Sequence, residues 1–466
     1  MVVLDSTIVN LALPAMRRGL HLGTTELQWV INAYLLTLGG LILLGGRLGD
    51  HFGRRRIYLI GAAAFSVASL LGGIAPNAGV LLAARAAQGV GAALLAPGTL
   101  SLLTSIYTAP RARSRALAIW NAAAASGGAL GIFLGGALTS AFGWRSVLFV
   151  NVPIGVLVLT LGRATLPETL KRTDAKRLDA PGALSITVAL TLLVYGTVES
   201  EMYSWGSPRT VIVLAAAAAM FGVTALIEAR AANPLIPLTV LRHAPVATAL
   251  IMMLVIGAVI QASFYFESLY LQQVRGYSPF DAGLLMLPFG LLVIFTPSLA
   301  VRLTARYGPR RVAAVSPGVA ILGLLWLSRW QLHGSIALQL VLPAMVFALG
   351  VSICFFALAV LITSSIADSH SGLGSGLLNS GRQVGGSIGL AALSVAAAAH
   401  TRSLVGSHHR LTPHAIAAGY AFGLLASAGL FLVGMLVLAT DAIRWRRGGE
   451  PRPRPATDAS SVRELA

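Results

Sequence analysis

Gly46-Arg47-Leu48-Gly49-Asp50-His51-Phe52-Gly53-Arg54-Arg55-Arg56 and Val301-Arg302-Leu303-Thr304-Ala305-Arg306-Tyr307-Gly308-Pro309-Arg310-Arg311 are two versions of one short basic segment. At an offset of 255 residues, five of eleven positions agree: Arg47 with Arg302, Leu48 with Leu303, Gly53 with Gly308, Arg55 with Arg310 and Arg56 with Arg311. Similarity at a fixed, long offset marks an internal repeat. Each copy closes a long apolar stretch, and the stretches on either side give the rest of the architecture.

Of the 466 residues, 56% are hydrophobic and only 11% are charged, with a mean hydropathy of +0.79. A soluble chain carries about a quarter charged residues, so too few are present here to cover a water-facing surface. Apolar stretches of about 20 residues, each able to cross about 30 Å of hydrocarbon, recur along the whole length. Fourteen spans are predicted, at 1–16, 27–46, 57–75, 79–104, 115–140, 144–164, 181–199, 209–228, 246–271, 280–301, 312–330, 336–361, 373–398 and 415–441. The fold class is all-α integral membrane.

Twenty-five of the 34 lysines and arginines fall in even-numbered loops and the tail, Arg382 counted among them; eight lie in the opposite loops, and Arg85 lies within a span. The positive-inside rule then puts the even-numbered loops and both termini in the cytoplasm. The net charge of +18 is thereby a signal of topology, and a nucleic-acid partner is not expected. Cys354 is the only cysteine, so no intrachain disulfide forms. His400, His408, His409 and His414 have no standard zinc spacing, and no metal is expected.

The two basic segments follow spans 2 and 10, eight spans apart. A six-helix unit duplicated in parallel, with two helices inserted between the copies, gives that offset. The units are 1–164, an N-terminal six-helix bundle; 165–245, a linker and two inserted helices; 246–441, a C-terminal six-helix bundle; and 442–466, a disordered basic tail. Span 1 has 16 residues, about 24 Å of helix, which falls short of the hydrocarbon thickness. The first span is therefore expected to be truncated, with the natural reading frame starting upstream.

Leu4-Asp5-Ser6-Thr7-Ile8-Val9-Asn10-Leu11-Ala12-Leu13-Pro14, the Gly46–Arg56 segment, Arg85-Ala86-Ala87-Gln88-Gly89-Val90-Gly91, Asn151-Val152-Pro153-Ile154-Gly155 and Ser380-Gly381-Arg382-Gln383-Val384-Gly385-Gly386-Ser387-Ile388-Gly389 together carry a resemblance. The chain resembles the 14-helix drug:proton antiporters of the major facilitator superfamily, from about residue 4 to 440. That resemblance implies proton-coupled efflux of small organic, drug-like compounds by alternating access. It also implies a small-molecule substrate and protons as partners, a cytoplasmic membrane location, monomeric action, and no cofactor beyond the proton gradient. One departure stands out: the family's span-5 motif carries Gly-Pro where this chain has Gly131-Ile132. That leaves the bend attributed to the proline, and antiport as read from this motif, open.

Candidate proton-coupling or substrate residues are Asp5, Arg85 and Glu267. An ionised carboxylate inside an apolar helix is expensive, which suits Asp5 to taking up and releasing a proton; an interfacial acid is the alternative. Arg85 supplies a fixed positive charge that would tune Asp5, and the resemblance implicates it in proton coupling; the alternative is an arginine that snorkels or bonds carbonyls. Glu267, among Tyr265, Phe266 and Tyr270, serves as a counter-charge for a lipophilic cation, or is a solvated acid one turn from the outer end. Gly46, Gly49, Asp50, Gly53 and Arg54 form a conformational latch by resemblance, with Asp50 facing the start of span 13 near Ser371. Gly127, Gly131, Gly135 and Gly136 form a small-residue motif in span 5, read equally as helix packing or as a gate.

No nucleophile–base set, metal cluster or phosphate-cradling loop is visible, so neither an enzyme nor an ATP-driven pump is expected. A scaffold has no use for ionisable residues inside its helices. Within transport, a proton-coupled symporter, or an exporter dedicated to one metabolite, antibiotic or lipid, is the alternative reading.

Overall fold

The computed structural model describes residues 1–107, 109–167, 179–231, 244–331, 334–365, 371–405 and 412–448. They form fourteen long helices: α1 (Val2–Leu20), α2 (Thr24–Phe52), α3 (Arg54–Gly73), α4 (Ala78–Ile106), α5 (Pro110–Phe142), α6 (Asn151–Thr165), α7 (Ala180–Tyr203), α8 (Pro208–Arg230), α9 (Ala244–Leu269), α10 (Pro279–Tyr307), α11 (Pro309–Leu327), α12 (Leu342–Ser365), α13 (Ser371–Val405) and α14 (Pro413–Gly448). A short helical turn, Ser146–Phe149, precedes α6, and π-helical turns at Tyr270–Val274 and Ala337–Val341 extend α9 and lead into α12. In lipid every backbone N–H and C=O needs a partner within the helix, and the described residues contain no strand.

Thirteen of these segments are long and apolar enough to cross a membrane. The exception is α1, which carries Asp5, Arg17 and Arg18 in its 19 residues. The helix starts are written in the sequence. The side chains of Asn77, Asp179, Ser207 and Ser278 accept backbone N–H groups of the first turn, and Pro110, Pro208, Pro279 and Pro309 sit at first-turn positions where no N–H is needed.

The repeat has a local physical mark. Gly53 joins α2 to α3 with φ +98°, and Gly308 joins α10 to α11 with φ +81°. Both turns use a backbone region that side-chain-bearing residues avoid, so the same turn chemistry recurs at the matched position in each copy.

In the N-terminal part, α4 packs between α2 and α3, and α1 packs on α5. In the C-terminal part, α9 packs on α13 and α14, and α11 on α12 and α14. The two sets meet along a seam where α5 lies against α10 and α2 against α13. The inserted pair is attached through α7: Leu190, Val194 and Val198 of α7 bury against Leu36 of α2 and Ala391 of α13.

Two sequence expectations are corrected. Arg382, counted with the basic loops, lies inside α13, because that helix runs unbroken from Ser371 to Val405. Arg444 is not the start of a disordered tail: α14 continues to Gly448, since the first helix breakers after it are Gly448, Gly449 and Pro451. Residues 449–466, and with them the rest of the predicted tail, lie outside the described residues, as do His408 and His409.

Candidate functional site

Asp5 sits one turn into α1 and Arg85 two turns into α4, and the packing of the N-terminal helices brings them together. The two are 0% and 1% exposed, and Arg85 Nη1 donates to Asp5 Oδ2 at 2.6 Å. Both are buried in the bundle, which does not fit a snorkelling arginine or a solvent-exposed acid, while the carbonyl-bonding alternative for Arg85 is met through Val30.

The pair is wired to three further helices, α2, α3 and α6, by residues that carry no charge. Arg85 Nε donates to the Val30 carbonyl of α2 at 2.9 Å, and its Nη1 also reaches Gln88 Oε1 at 2.8 Å. Gln88 Nε2 donates to Asp5 Oδ1 at 3.2 Å and to Ser69 Oγ of α3 at 2.6 Å. Asn151 Nδ2, the first residue of α6, donates to Asp5 Oδ1 at 2.8 Å. The Arg85 guanidinium lies 4.5 Å from the centre of the Tyr34 ring, and Tyr34 is held edge-on by Phe65 and donates to the Val2 carbonyl at 3.2 Å. A buried charge is tolerable only when paired and hydrogen-bonded, and this site meets both conditions: three donors surround the carboxylate. Gln88 and Asn151 occur in the quoted motifs, yet sequence reading assigned them no role; a carboxamide in an apolar span was the available signal.

Glu267 is not part of this cluster. It is 2% exposed in α9, so the solvated-acid alternative is wrong. The reason lies just beyond it: the π-turn Tyr270–Val274 prolongs the helix, and Tyr270 stacks on Trp330 with ring centres 4.1 Å apart, sealing that end. Among the described residues no hydrogen bond or charged partner reaches its carboxylate. Ser263, one turn earlier on the same helix, likewise holds a buried hydroxyl oxygen with no partner.

The seam is polar at intervals. Ser268 Oγ donates to the Asn10 carbonyl at 2.8 Å, Gln261 Nε2 to Asn10 Oδ1 at 3.3 Å, and Gln272 Nε2 to the Leu11 carbonyl at 3.0 Å, all tying α9 and its π-turn to α1. Ser380 Oγ donates to the Gly39 carbonyl at 2.7 Å and Ser387 Oγ to Asn32 Oδ1 at 3.1 Å, tying α13 to α2. On the other side Ser140 Oγ accepts the Phe280 N–H at 3.0 Å.

The span-5 glycines split by position. A Cβ on Gly131 would lie 2.7 Å from the Leu4 carbonyl, and one on Gly135 2.6 Å from the Ile8 carbonyl; both seat α5 against α1, on the helix that carries Asp5. Gly136 faces the other way, where a Cβ would come within 3.1 Å of Phe280 Cα across the seam. Gly127 is looser, its nearest neighbour Leu4 N at 3.9 Å. Ile132, in place of the family's proline, is buried at the seam between Gly283 and Gly290 of α10.

At the proposed latch, Arg54 Nε and Nη2 donate to Asp50 Oδ1 at 3.0 and 2.9 Å, and Arg54 Nη1 reaches the Ser101 carbonyl of α4 at 3.3 Å. Gly53 supplies the turn. Gly46 and Gly49 have only ordinary contacts, with Pro97 and Arg54; the tight approach is at Gly45, where a Cβ would lie 2.8 Å from the Ala93 backbone. The expected partner near Ser371 lies outside the residues whose side chains are described.

Comparison with known proteins gives one consistent answer. A model of the Major Facilitator Superfamily matches residues 1–390. The chain is 37% identical over 448 residues to the puromycin resistance protein pur8 of Streptomyces alboniger, covering 96% of this chain and 88% of that protein. It is 39% identical over 396 residues to the cephamycin export protein CmcT of Amycolatopsis lactamdurans, covering 84% and 82%. Among solved structures it is similar, at 16% identity and a TM-score of 0.69 over 97% of this chain and 96% of that one, to a bacterial homologue of the human lysosomal transporter Spinster in an inward-facing, unoccupied conformation. The last likeness concerns the fold.

Proposed function

The chain belongs to the major facilitator superfamily, and from that premise we propose that it is a proton-driven exporter of small organic compounds, of the antibiotic or drug-like kind. Its place is the cytoplasmic membrane, with both termini and the Arg54–Arg56 end inside, as the distribution of arginines supports. The observation that carries the reading is the buried Asp5–Arg85 pair. An ion pair in the low-dielectric interior has no structural necessity, since packed apolar residues do as well or better, and an ionisable residue inside a membrane bundle points to a functional site. The relatives' names, puromycin resistance and cephamycin export, supply the direction and the chemical kind of cargo.

In this cycle the seam alternates. With the Ser140–Phe280 end of α5 and α10 closed, Asp5 is deprotonated and held by Arg85, Gln88 and Asn151, and substrate enters from the cytoplasm. The halves then tilt and open that end. Asp5 takes a proton from outside, its hold on Arg85 is lost and the cargo leaves. On return to the inward-open state the proton is given up to the cytoplasm and the cavity reloads. Each charge moved adds about 2.3 kcal/mol per 100 mV of membrane potential.

Everted vesicles energised by respiration, a panel of fluorescent dyes and an Asp5→Asn variant test this. Wild type is expected to accumulate one or more dyes, and Asp5→Asn to lose gradient-driven accumulation while retaining dye exchange without a gradient. Equal pumping by the variant, with unchanged pH dependence, overturns the assignment of Asp5.

A further inference from the structure

Arg382 is the second arginine set into the membrane interior of the bundle, and the cycle above does not use it. Its helix position is fixed by its neighbour one turn on. Gly386 is wedged between α2 and α9: a Cβ there would lie 3.3 Å from Leu35 Cδ1 and 3.6 Å from Gln261 Cβ. Residues four apart share a helix face, so Arg382 lies on that same face, at the seam between the two halves. Its backbone is locked there, since Gly257 of α9 lies directly against the Arg382 carbonyl. The side chain is half-buried.

The charge count at the seam is then uneven. Arg85 is neutralised by Asp5. Arg382 forms no ion pair with an acidic residue among the described residues. Glu267, the most deeply buried acid after Asp5, likewise forms no ion pair among the described residues. Amides flank the guanidinium on the same stretch of α13, Asn379 and Gln383, and the Asn32 Nδ2 donor of α2, beside Ser387, is buried and without a partner.

A half-buried guanidinium without a counter-ion recruits one, and its planar fork suits a carboxylate or similar oxyanion. We propose that Arg382, with Asn32 as a second donor, is an anion-recognition subsite on the transport path. It selects cargo that carries an acidic group, a carboxylate above all, from among the drug-like compounds, often cationic or lipophilic, that the resemblance implies. The inference rests on the export reading, but it concerns binding and needs no turnover.

The test uses the full-length protein in lipid nanodiscs and two probes of nearly equal size, dansylglycine and dansylglycinamide, followed by dansyl fluorescence without any gradient. Wild type is expected to bind the acid about tenfold more tightly than the amide, a difference of about 1.4 kcal/mol. Arg382→Gln is expected to abolish that preference by weakening the acid to the level of the amide, and Arg382→Lys to keep part of it. Equal affinity of wild type for both probes, failure of wild type to bind the acid, an unchanged preference in Arg382→Gln, or a parallel loss of both probes each overturns the proposal. Dye pumping in everted vesicles is scored separately, so a protein that pumps but shows no acid preference sinks this inference alone.

Discussion

Neutralising Arg85 and Asp5 singly and together separates a functional ion pair from a packing accident. The pair is fully buried, at 2.6 Å, so Arg85→Gln leaves a carboxylate in the interior with two neutral donors, Gln88 and Asn151. Removing one partner of a buried pair costs about 3–5 kcal/mol; the remaining donors, worth about 1.5–3 kcal/mol each to a charged group, place the expected loss at the lower end, about 3 kcal/mol. Asp5→Asn keeps an acceptor and leaves Arg85 with the Val30 and Gln88 oxygens, for an expected loss of about 2–3 kcal/mol. The double variant replaces both charges by amides and is expected to lose no more than about 2 kcal/mol in all. The resulting coupling energy is about 3 kcal/mol, at the top of the range seen for residues in direct contact. Reversible unfolding in mixed micelles, followed by tryptophan fluorescence, measures it. Losses that add to within about 0.5 kcal/mol would show that the two charges do not stabilise one another, and the structural basis for the coupling site would go with them.

Three further outcomes follow from the geometry. Gly131→Ala drives a methyl group into Thr7 and the Leu4 carbonyl and is expected to cut both dye efflux and thermal stability, whereas Gly127→Ala, with no neighbour nearer than 3.9 Å, is tolerated; comparable melting and efflux of the two variants would refute the packing assignment. Gly53→Ala forces a side-chain-bearing residue to φ +98° and is expected to cost about 1–2 kcal/mol, read as a lower melting temperature, with Gly308→Ala behaving alike. In a Cys354→Ala background, oxidation of a Ser140→Cys/Phe280→Cys pair is expected to stop efflux and reduction to restore it; undiminished pumping by the oxidised protein would rule out opening at that end of the seam.

What the sequence shows and what it hides divide along a physical line. Span number is legible because lipid imposes it: each apolar run has to be long enough and internally hydrogen-bonded. The repeat is legible because Gly53 and Gly308 are demanded by the same left-handed turn. Asp5 and Arg85 stand out because a charge in an apolar run is rare, although their contact is a product of tertiary packing across 80 residues. The amides are harder to see. Gln88, Asn151, Asn10 and Asn32 are ordinary enough in a membrane helix that only the geometry shows two of them closing the shell around Asp5 and two holding the seam. Arg382 was misplaced because the charge tally assigned it to a loop although it lies well inside the predicted span 373–398, which α13 reproduces from Ser371 to Val405. Glu267 was ambiguous for the related reason that linear distance to a helix end ignores the Tyr270–Trp330 stack that covers it.

The two most deeply buried acids, Asp5 and Glu267, are in opposite electrostatic conditions, and in the proposed cycle that contrast sets their order of action. Asp5 accepts three hydrogen bonds, one of them from a guanidinium, so its charge is compensated in this conformation and a proton arriving there has to displace an ion pair. Glu267 has neither donor nor counter-charge among the described residues, so in this conformation it is stable only with a proton or a bound cation. A single conformer thus holds one acid whose charge is paired and another whose charge, among the described residues, is not. The donors around Asp5 come from α4 and α6, both within one half, while α1 itself crosses to α9 through Asn10, Leu11, Ser268 and Gln272. Release of Asp5 from Arg85 frees α1 to shift against α4, and the bonds from Asn10 and Leu11 carry that shift to the helix bearing Glu267. Proton uptake in one half is thereby linked to the environment of the acid in the other. On this account Glu267→Gln traps the conformation seen here: its amide needs no proton, and the variant is expected to bind dye from the cytoplasmic side with wild-type affinity while gradient-driven efflux falls about tenfold or more. Efflux at the wild-type rate and with the wild-type pH profile would show that Glu267 takes no part, leaving Asp5 as the one acid to which the cycle is tied.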